Sequence, residues 1–286
     1  MIVFMLAATA AATQPPRAIL FVGNSFTFGA ESDAMTYRKD SVSDLNGDGM
    51  GGVPALFKRF ADEAGLRYRV SLETAAGETL AWHLANKKDV IDRRWDAVVL
   101  QQYSTLDPDR PGDVTATIPA ARGLVTLLRR RNPNVDISLV ATWTRPDLTY
   151  PAGQHWSGNP VQRMALDLRQ ASDQVRAAVP AIRRIAPVGE AFNCAIARGI
   201  ADPNPYDGLT PGQVDLWATD HYHASNHGYY LEALTIFAAV THFDPRKLGR
   251  HETAADELKI RPVIAARLRE IAFEVGIAGR CRARKA

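Results

Sequence analysis

The sequence has 286 residues, of which 46% are hydrophobic and 23% are charged. This composition is typical of a globular protein and excludes a disordered or fibrous chain. Its 34 Lys and Arg residues nearly balance 31 Asp and Glu residues, so the formal charge of +3 gives no indication of a nucleic-acid partner. The basic residues form no membrane-binding stripe, and we expect no membrane insertion.

The N-terminal segment 1–13 is apolar and ends in small residues, and Ala8-Thr9-Ala10 fits the A-x-A pattern of a cleavage site. It lacks the positively charged residues that usually begin a signal peptide, and it is too short to span a bilayer as a helix. We predict a signal peptide and a periplasmic or secreted protein. The two cysteines, Cys194 and Cys281, can pair after export, but two buried thiols are an equal alternative.

After this segment, short apolar or β-branched runs alternate with longer amphipathic stretches, which is typical of β-α units and a parallel sheet. The predicted strands are residues 18–22, 68–73, 97–100, 137–142 and 182–188. The predicted helices are residues 53–64, 79–86, 118–131, 161–179, 191–200, 226–241 and 254–275. This order predicts a three-layer α/β/α sandwich with a central five-stranded parallel sheet, formed by one domain over residues 14–286. Ligand sites in such folds lie at the carboxyl ends of the strands.

The first predicted strand leads directly into Gly23-Asn24-Ser25, which places the Ser25 hydroxyl on a turn at the carboxyl end of that strand. Gly23 permits a sharp turn, and backbone N–H groups beyond the turn can stabilise a developing negative charge. Taken alone, a serine in this position is more often a turn or cap residue. The segment also lacks the spacing of a phosphate loop or of a G-x-S-x-G nucleophile elbow.

A polar loop before the predicted helix 226–241 contains Asp220 and His223. A nucleophilic serine needs a base to take its proton and an acid to orient that base. An Asp three residues before a His can hold the Nδ1–H while Nε2 faces the serine. Because the first and last units of such a sheet can border one crevice, the sequence predicts a triad of Ser25, His223 and Asp220.

These segments resemble the sequence blocks of the SGNH (GDSL-like) hydrolases. Gly23-Asn24-Ser25 is similar to the first block, and Asp220-x-x-His223 followed by Ser225-x-x-Gly228 is similar to the last. Gly77 matches the glycine of the second block, whose N–H serves the oxyanion hole. The resemblance spans the chain beyond the leader and implies the flavodoxin-like SGNH fold.

The third block departs from the family pattern. Most members carry G-x-N-D, with an oxyanion-hole Asn, where this chain has Gln101 and Gln102. This is similar to a Leu-Gln variant of one bacterial branch, and a Gln carboxamide can donate the same hydrogen bond. The resemblance therefore implies an oxyanion hole formed by the N–H groups of Ser25 and Gly77 with Gln101 or Gln102.

The function implied by the resemblance is that of a serine esterase that cleaves a carboxylic ester without a metal or an organic cofactor. The expected substrate is a small-molecule or carbohydrate ester, and the expected export favours deacetylation of a carbohydrate or cell-surface substrate. The altered third block leaves open a catalytically lapsed, carbohydrate-binding protein of the same fold.

A metal-dependent hydrolase is a further alternative, because Asp220, His221, His223 and His227 offer carboxylate and imidazole ligands. No second cluster such as H-E-x-x-H accompanies them, so we favour the triad, with His221 and His227 as ordinary surface residues. His83 is predicted to be a packing or supporting residue.

The segment that begins at Asp44 opens like a calcium-binding EF-hand loop. Ala55 stands where the bidentate Glu of such a loop belongs, so we predict a polar turn and no calcium site. The long loop 30–52 follows Ser25 closely, and a loop in this place can shape a pocket.

Overall fold

The computed structural model describes residues 15–282, so the predicted signal peptide at 1–13 lies outside the described residues. The strands are β1 Arg17–Gly23, β2 Ser43–Asp44, β3 Tyr68–Thr74, β4 Ala97–Leu100, β5 Asp136–Ala141 and β6 Ile182–Pro187. The helices are α1 Ser25–Phe28, α2 Gly52–Glu63, α3 Leu80–Asn86, α4 Lys88–Ile91, α5 Thr117–Arg131, α6 Arg163–Ala178, α7 Val188–Ala197, α8 Asn226–Thr241, α9 Thr253–Glu257 and α10 Pro262–Gly276. Short 3₁₀ turns occur at Lys39–Ser41, Pro146–Leu148 and Pro245–Leu248.

The strands form one parallel sheet in the order β2-β3-β1-β4-β5-β6. All five predicted strands are present, and no strand end differs from its predicted position by more than one residue. The sixth strand, β2, has two residues and pairs at the edge with β3. So short a strand carries no periodicity, which is why the sequence pattern does not predict it.

The sheet separates two layers of helices, as the predicted α/β/α sandwich requires. On β1, Ile19 and Phe21 belong to the core under α2, α7, α8 and α10, whereas Leu20 and Val22 belong to the core under α5. Successive side chains of a strand point to opposite faces, so a strand buried on both faces reads as a continuous apolar run. This explains why β1 is apolar from Ala18 to Val22.

The central strand β1 is flanked by β3 and β4, and the chain places its later strands on the β4 side. Gly23 pairs with Thr74, and Val22 pairs with Leu100, so β1, β3 and β4 end at the same level. The segments that follow these three strands therefore emerge side by side. The crevice at such a reversal of strand order is the usual place for a ligand in an open parallel sheet.

The predicted helix 254–275 is wrong in one respect, because the structure divides it into α9 and α10. Pro262 lacks an N–H group and begins α10, and the preceding Arg261 is extended, with ψ of 135°. A residue before proline is pushed out of the helical region by the proline ring. None of the described helices is long and apolar enough to cross a membrane.

Cys194 and Cys281 form a disulfide, which decides between the two alternatives that the sequence leaves open. The bond joins α7 to the segment after α10 across 87 residues of chain. A cross-link of this length restricts the unfolded chain strongly and stabilises a fold by about 2–5 kcal/mol. Such a bond persists in an oxidising compartment.

Candidate active site

Ser25 is the first residue of α1 and lies directly beyond the end of β1. The Asn24 side chain caps α1 by accepting a hydrogen bond from the Phe26 N–H at 3.2 Å. A Cβ atom added at Gly23 would lie 2.1 Å from Thr27 Oγ1, so the turn has no room for a side chain there. Sequence and packing thus place the Ser25 hydroxyl at the carboxyl edge of the sheet.

Buried aromatic side chains pack against this turn. The Phe26 ring stacks on Trp143 with 3.9 Å between ring centroids, and Trp143 stacks in turn on Phe192. The Trp143 indole donates a hydrogen bond to the Tyr222 carbonyl at 3.3 Å, and Phe26 contacts the His223 ring edge-on at 5.8 Å. One aromatic stack therefore contacts both the Ser25 turn and the loop that carries His223.

Asp220 and His223 are joined by a hydrogen bond of 2.6 Å between Oδ2 and Nδ1. The other Asp220 oxygen accepts hydrogen bonds from the backbone N–H groups of Tyr222 and His223. Burial by itself would raise the pKa of the Asp220 carboxyl, but these hydrogen bonds outweigh burial and lower it. Because an ionised carboxylate can only accept, Nδ1 carries the proton and Nε2 is the free acceptor of the ring.

His223 Nε2 is buried and has no hydrogen-bond partner within residues 15–282. Buried polar atoms normally have hydrogen-bond partners, so an unpartnered one needs an explanation. A nitrogen with a free lone pair in this place can accept a proton from a substrate or from a neighbouring hydroxyl. The geometry is that of a general base held by its carboxylate.

The lowered pKa of Asp220 predicts a pH-dependent contribution to stability. Because the folded-state pKa lies below the ordinary value of 3.8, the ionised carboxyl contributes fully above that pH, and the contribution is lost as pH falls through the folded pKa. We therefore expect Asp220→Asn to unfold at lower urea concentration than the unchanged protein near neutral pH. The difference in unfolding free energy should shrink at about pH 3; a difference independent of pH would contradict this assignment.

Ser25, Gly77 and His223 line one open cavity of about 730 Å³, which we call the active-site cavity. The remaining lining is mostly apolar and comes from Phe28, Ala30, Met35, Met50, Ala76 and Tyr222, with Glu31 and Ser32 at one side. Met50 is placed by Asp44, whose carboxylate accepts hydrogen bonds from the N–H groups of Asn46 and Met50. The EF-hand-like segment thus forms a polar turn that shapes the cavity wall.

The backbone N–H groups of Ser25 and Gly77 border this cavity and have no hydrogen-bond partner in the described part of the chain. Gly77 has φ of +71°, a left-handed conformation that favours glycine. This conformation turns the chain sharply after β3. Unpaired N–H groups at a cavity wall are suitable donors for an oxyanion.

The structure does not bring the side chains of Gln101 or Gln102 to the cavity. Gln101 Oε1 accepts hydrogen bonds from the Asn24 N–H at 3.0 Å and from the Thr27 hydroxyl at 2.9 Å, while its amide nitrogen donates to the Gln102 carbonyl. Gln101 is 1% exposed and is not among the residues that line the cavity, and its oxygen is occupied by the turn that carries Ser25. The Gln101 oxygen therefore positions the turn that carries Ser25, and the third oxyanion donor stays a prediction.

The Gln102 side chain forms hydrogen bonds with residues that do not line the cavity. Its Oε1 accepts from the N–H groups of Leu80 and Tyr103, and its amide nitrogen donates to the Thr117 hydroxyl at 2.8 Å. These bonds tie β4 to the starts of α3 and α5. Gln102, like Gln101, is not among the residues that line the cavity.

The four residues of the metal alternative do not form a ligand cluster. Among residues 15–282, Cys194, Glu274 and Cys281 are the one group of three His, Cys, Asp or Glu residues whose ligand atoms converge, and the two cysteines are already bonded to each other. His221 instead packs against Tyr206, with ring centroids 4.2 Å apart. Burial next to Arg261 lowers the pKa of His227, which favours its neutral form.

His83 lies in the protein interior, next to β3. It is fully buried, and its Nδ1 lies 2.7 Å from Glu73 Oε2 near the end of β3. This agrees with the predicted packing or supporting role.

Trp143 and Arg145 are site residues that the sequence analysis misses. They follow β5 just as Ser25 follows β1, so their position at the carboxyl edge is the signal that could have identified them. The Arg145 guanidinium lies 3.7 Å above the centre of the Tyr222 ring and pairs with Asp147 at 2.6 Å. These contacts fasten the loop between Asp220 and His223 to the segment after β5.

No family model matches the sequence, and no curated protein sequence matches it. Solved structures share its fold. A DUF4886 family protein from Bacteroides uniformis superposes with a TM-score of 0.66 at 17% identity over 94% of this chain and 98% of its own. A protein described as a GDSL-like lipase, from Parabacteroides merdae, superposes with a TM-score of 0.56 at 17% identity, over 80% of this chain and 97% of its own.

Proposed function

We propose that this protein, which has the α/β/α fold of the GDSL-like (SGNH) hydrolases, is a serine esterase acting through Ser25, His223 and Asp220. The observation that carries the proposal is the shared cavity: Ser25, His223 and the free N–H group of Gly77 line it together. A nucleophile, a base with its carboxylate, and donors for a negative charge are the parts that acyl transfer requires.

In the first half of the reaction, Ser25 Oγ attacks the ester carbonyl carbon while His223 Nε2 takes the hydroxyl proton. Asp220 holds Nδ1–H and stabilises the imidazolium that forms. The carbonyl oxygen becomes an oxyanion, which the N–H groups of Ser25 and Gly77 stabilise. The C–O bond to the alcohol then breaks, His223 returns its proton to the alcohol oxygen, and an acyl-serine remains.

In the second half, His223 Nε2 takes a proton from water, whose oxygen attacks the acyl-serine carbonyl. The same two N–H groups stabilise the second oxyanion. When it collapses, the bond to Ser25 Oγ breaks, the proton returns to Ser25, and the carboxylic acid leaves. The sequence of steps balances without a metal or an organic cofactor.

The proposed acyl group is acetyl or a similarly short chain, whose methyl group would contact the apolar side chains beside Ser25, such as Phe28, Met35 and Met50. Apolar surface of this kind favours burial of the acyl methyl group. We further propose an exported enzyme that deacetylates a carbohydrate or cell-surface substrate. The disulfide between Cys194 and Cys281 supports export because such bonds are rare in reducing compartments.

Labelling with a fluorophosphonate tests the nucleophile without knowledge of the substrate. The reagent phosphonylates activated serines, so we expect one adduct, located by mass spectrometry on the peptide that contains Ser25. Ser25→Ala should remove the label. Ser32→Ala is the matched control because Ser32 lines the same cavity, and this variant should still be labelled at Ser25.

Two results would overturn the proposal in different directions. Ester hydrolysis that a chelator abolishes, in a protein that takes no label, would establish metal-dependent chemistry. Absence of both labelling and hydrolysis across p-nitrophenyl esters of increasing chain length would establish a protein that has the fold without the catalysis.

A further inference from the structure

A second cavity adjoins the active-site cavity and shares Glu31 and Ser32 with it. It has a volume of about 970 Å³ and lies between the loop after α1, the loop that carries His223, and the start of α8. Its lining contrasts with the apolar wall beside Ser25. Carboxylate, imidazole, amide and hydroxyl groups border it, supplied by Asp33, Asp215, Thr219, His221, Asn226 and His227. We call it the polar cavity.

The polar groups in this cavity are fixed in place. Asn226 donates a hydrogen bond to Asp33 Oδ2 at 2.9 Å and accepts one from the Asp33 N–H at 3.0 Å, which holds the loop after α1 against α8. Asp215 accepts a hydrogen bond from the Trp217 N–H at 2.8 Å. A ligand would therefore meet hydrogen-bonding groups that need little rearrangement, which lowers the entropic cost of binding.

His221 Nδ1 is buried without a hydrogen-bond partner in the described part of the chain. His221 also has φ of +56°, a conformation uncommon for a residue other than glycine. His221 is also one of the residues that line the polar cavity.

An exposed aromatic ring, that of Tyr206, contacts the lining residue His221. Tyr206 is 45% exposed and follows Pro205, which lines the polar cavity. The centre of its ring lies 4.2 Å from that of His221 and 5.6 Å from that of Tyr150. Two neighbouring rings thus contact Tyr206, and nearly half of its surface is available to a ligand.

The loop that presents Tyr206 is held at both ends. The Asp202 carboxylate accepts hydrogen bonds from the N–H groups of Asn204 and Thr210, and the Tyr150 hydroxyl donates to the Pro203 carbonyl at 2.6 Å. A large aromatic side chain held in one orientation binds with little loss of conformational entropy.

The charges at the polar cavity limit what it can bind. Glu31, Asp33 and Asp215 contribute three carboxyl groups against one ammonium group, that of Lys259. An anionic ligand would be repelled. The carboxylates do not converge into a cation site either, since no group of three ligand atoms meets here among residues 15–282.

We propose that the polar cavity binds the alcohol part of the ester substrate, and that this part is an uncharged sugar whose ring packs on Tyr206. This proposal rests on the proposed esterase function. A sugar ring has hydroxyl groups around its edge, which pair with fixed polar side chains, and C–H groups on its faces, which pack on an aromatic ring. The shared border at Glu31 and Ser32 lets one ester reach from this cavity to Ser25.

The test compares three acetyl esters: p-nitrophenyl acetate, a mono-O-acetylated methyl glucoside and the corresponding methyl glucuronoside. The neutral glucoside should be preferred to the anionic glucuronoside. Tyr206→Ala should lower kcat/KM for the glucoside relative to that for p-nitrophenyl acetate by about three- to tenfold, because a lost aromatic contact has about this effect. Tyr206→Phe should restore the ratio.

Leu209→Ala is the matched control, because Leu209 is an exposed apolar residue of the same loop, 58% exposed, that has no aromatic ring. It should leave the ratio unchanged. A ratio unaffected by Tyr206→Ala, or a preference for the glucuronoside, would overturn the sugar site while leaving the esterase intact.

A binding measurement separates the sugar site from the chemistry. Methyl glucoside should bind the Ser25→Ala variant in calorimetry, and Tyr206→Ala introduced into that variant should weaken the binding. If the sugar binds in this way but no acetyl ester is hydrolysed by the unchanged protein, the site stands and the proposed function is wrong. Absence of sugar binding overturns the site.

Discussion

Replacement of Ser25 or His223 by alanine is expected to lower the turnover of p-nitrophenyl acetate by about four to six orders of magnitude. Each residue has a different task, since one forms the bond to the acyl group and the other moves the proton. Neither task can proceed without the other. Steady-state kinetics of the two variants, with the concentration of folded protein verified by circular dichroism, measures the effect.

The double variant is the diagnostic comparison. Ser25→Ala combined with His223→Ala should be scarcely slower than either single variant, because residues that act as a unit show strongly non-additive losses. His251→Ala, an exposed histidine outside the cavity, is the control and should retain full turnover. Losses that multiply in the double variant would mean that the two residues act independently and form no triad.

Replacement of Gln101 by alanine is expected to lower both stability and turnover. The change leaves the buried Asn24 N–H and the Thr27 hydroxyl without their acceptor, at a cost of about 1–3 kcal/mol for each group. The turn that carries Ser25 then loses its anchor to β4. Since small displacements of a reacting group reduce rates by about a hundredfold, we expect a loss of about 10- to 100-fold in kcat.

Gln102→Ala provides the comparison for this prediction. Gln102 is equally buried and also accepts two backbone hydrogen bonds, but it holds α3 and the start of the loop after β4 and does not touch the Ser25 turn. Urea denaturation should therefore show a loss of stability in both variants, while kcat falls mainly in Gln101→Ala. A fall in kcat for Gln101→Ala without a loss of stability would instead restore Gln101 as a donor to the oxyanion.

Local sequence patterns determined the sheet, most of its helices and the position of the serine. A strand buried on both faces and an amphipathic helix each leave a short-range pattern, and β4 and α8 were predicted with their observed bounds. The pairing of Asp220 with His223 was also accessible, because a spacing of three residues in a loop is enough to bring the two side chains together. Even the proximity of Gly77 to Ser25 followed from the rule that parallel strands end at one edge.

Contacts between distant segments were decided by the tertiary structure alone. A carboxamide can donate or accept, and Gln101 became an acceptor because the Asn24 N–H and the Thr27 hydroxyl, more than 70 residues away in sequence, lie against its oxygen. The disulfide between Cys194 and Cys281 depends in the same way on where α7 and the end of α10 meet. The sequence specifies which hydrogen-bonding groups each residue carries, whereas the packing of the whole chain decides which partners those groups find.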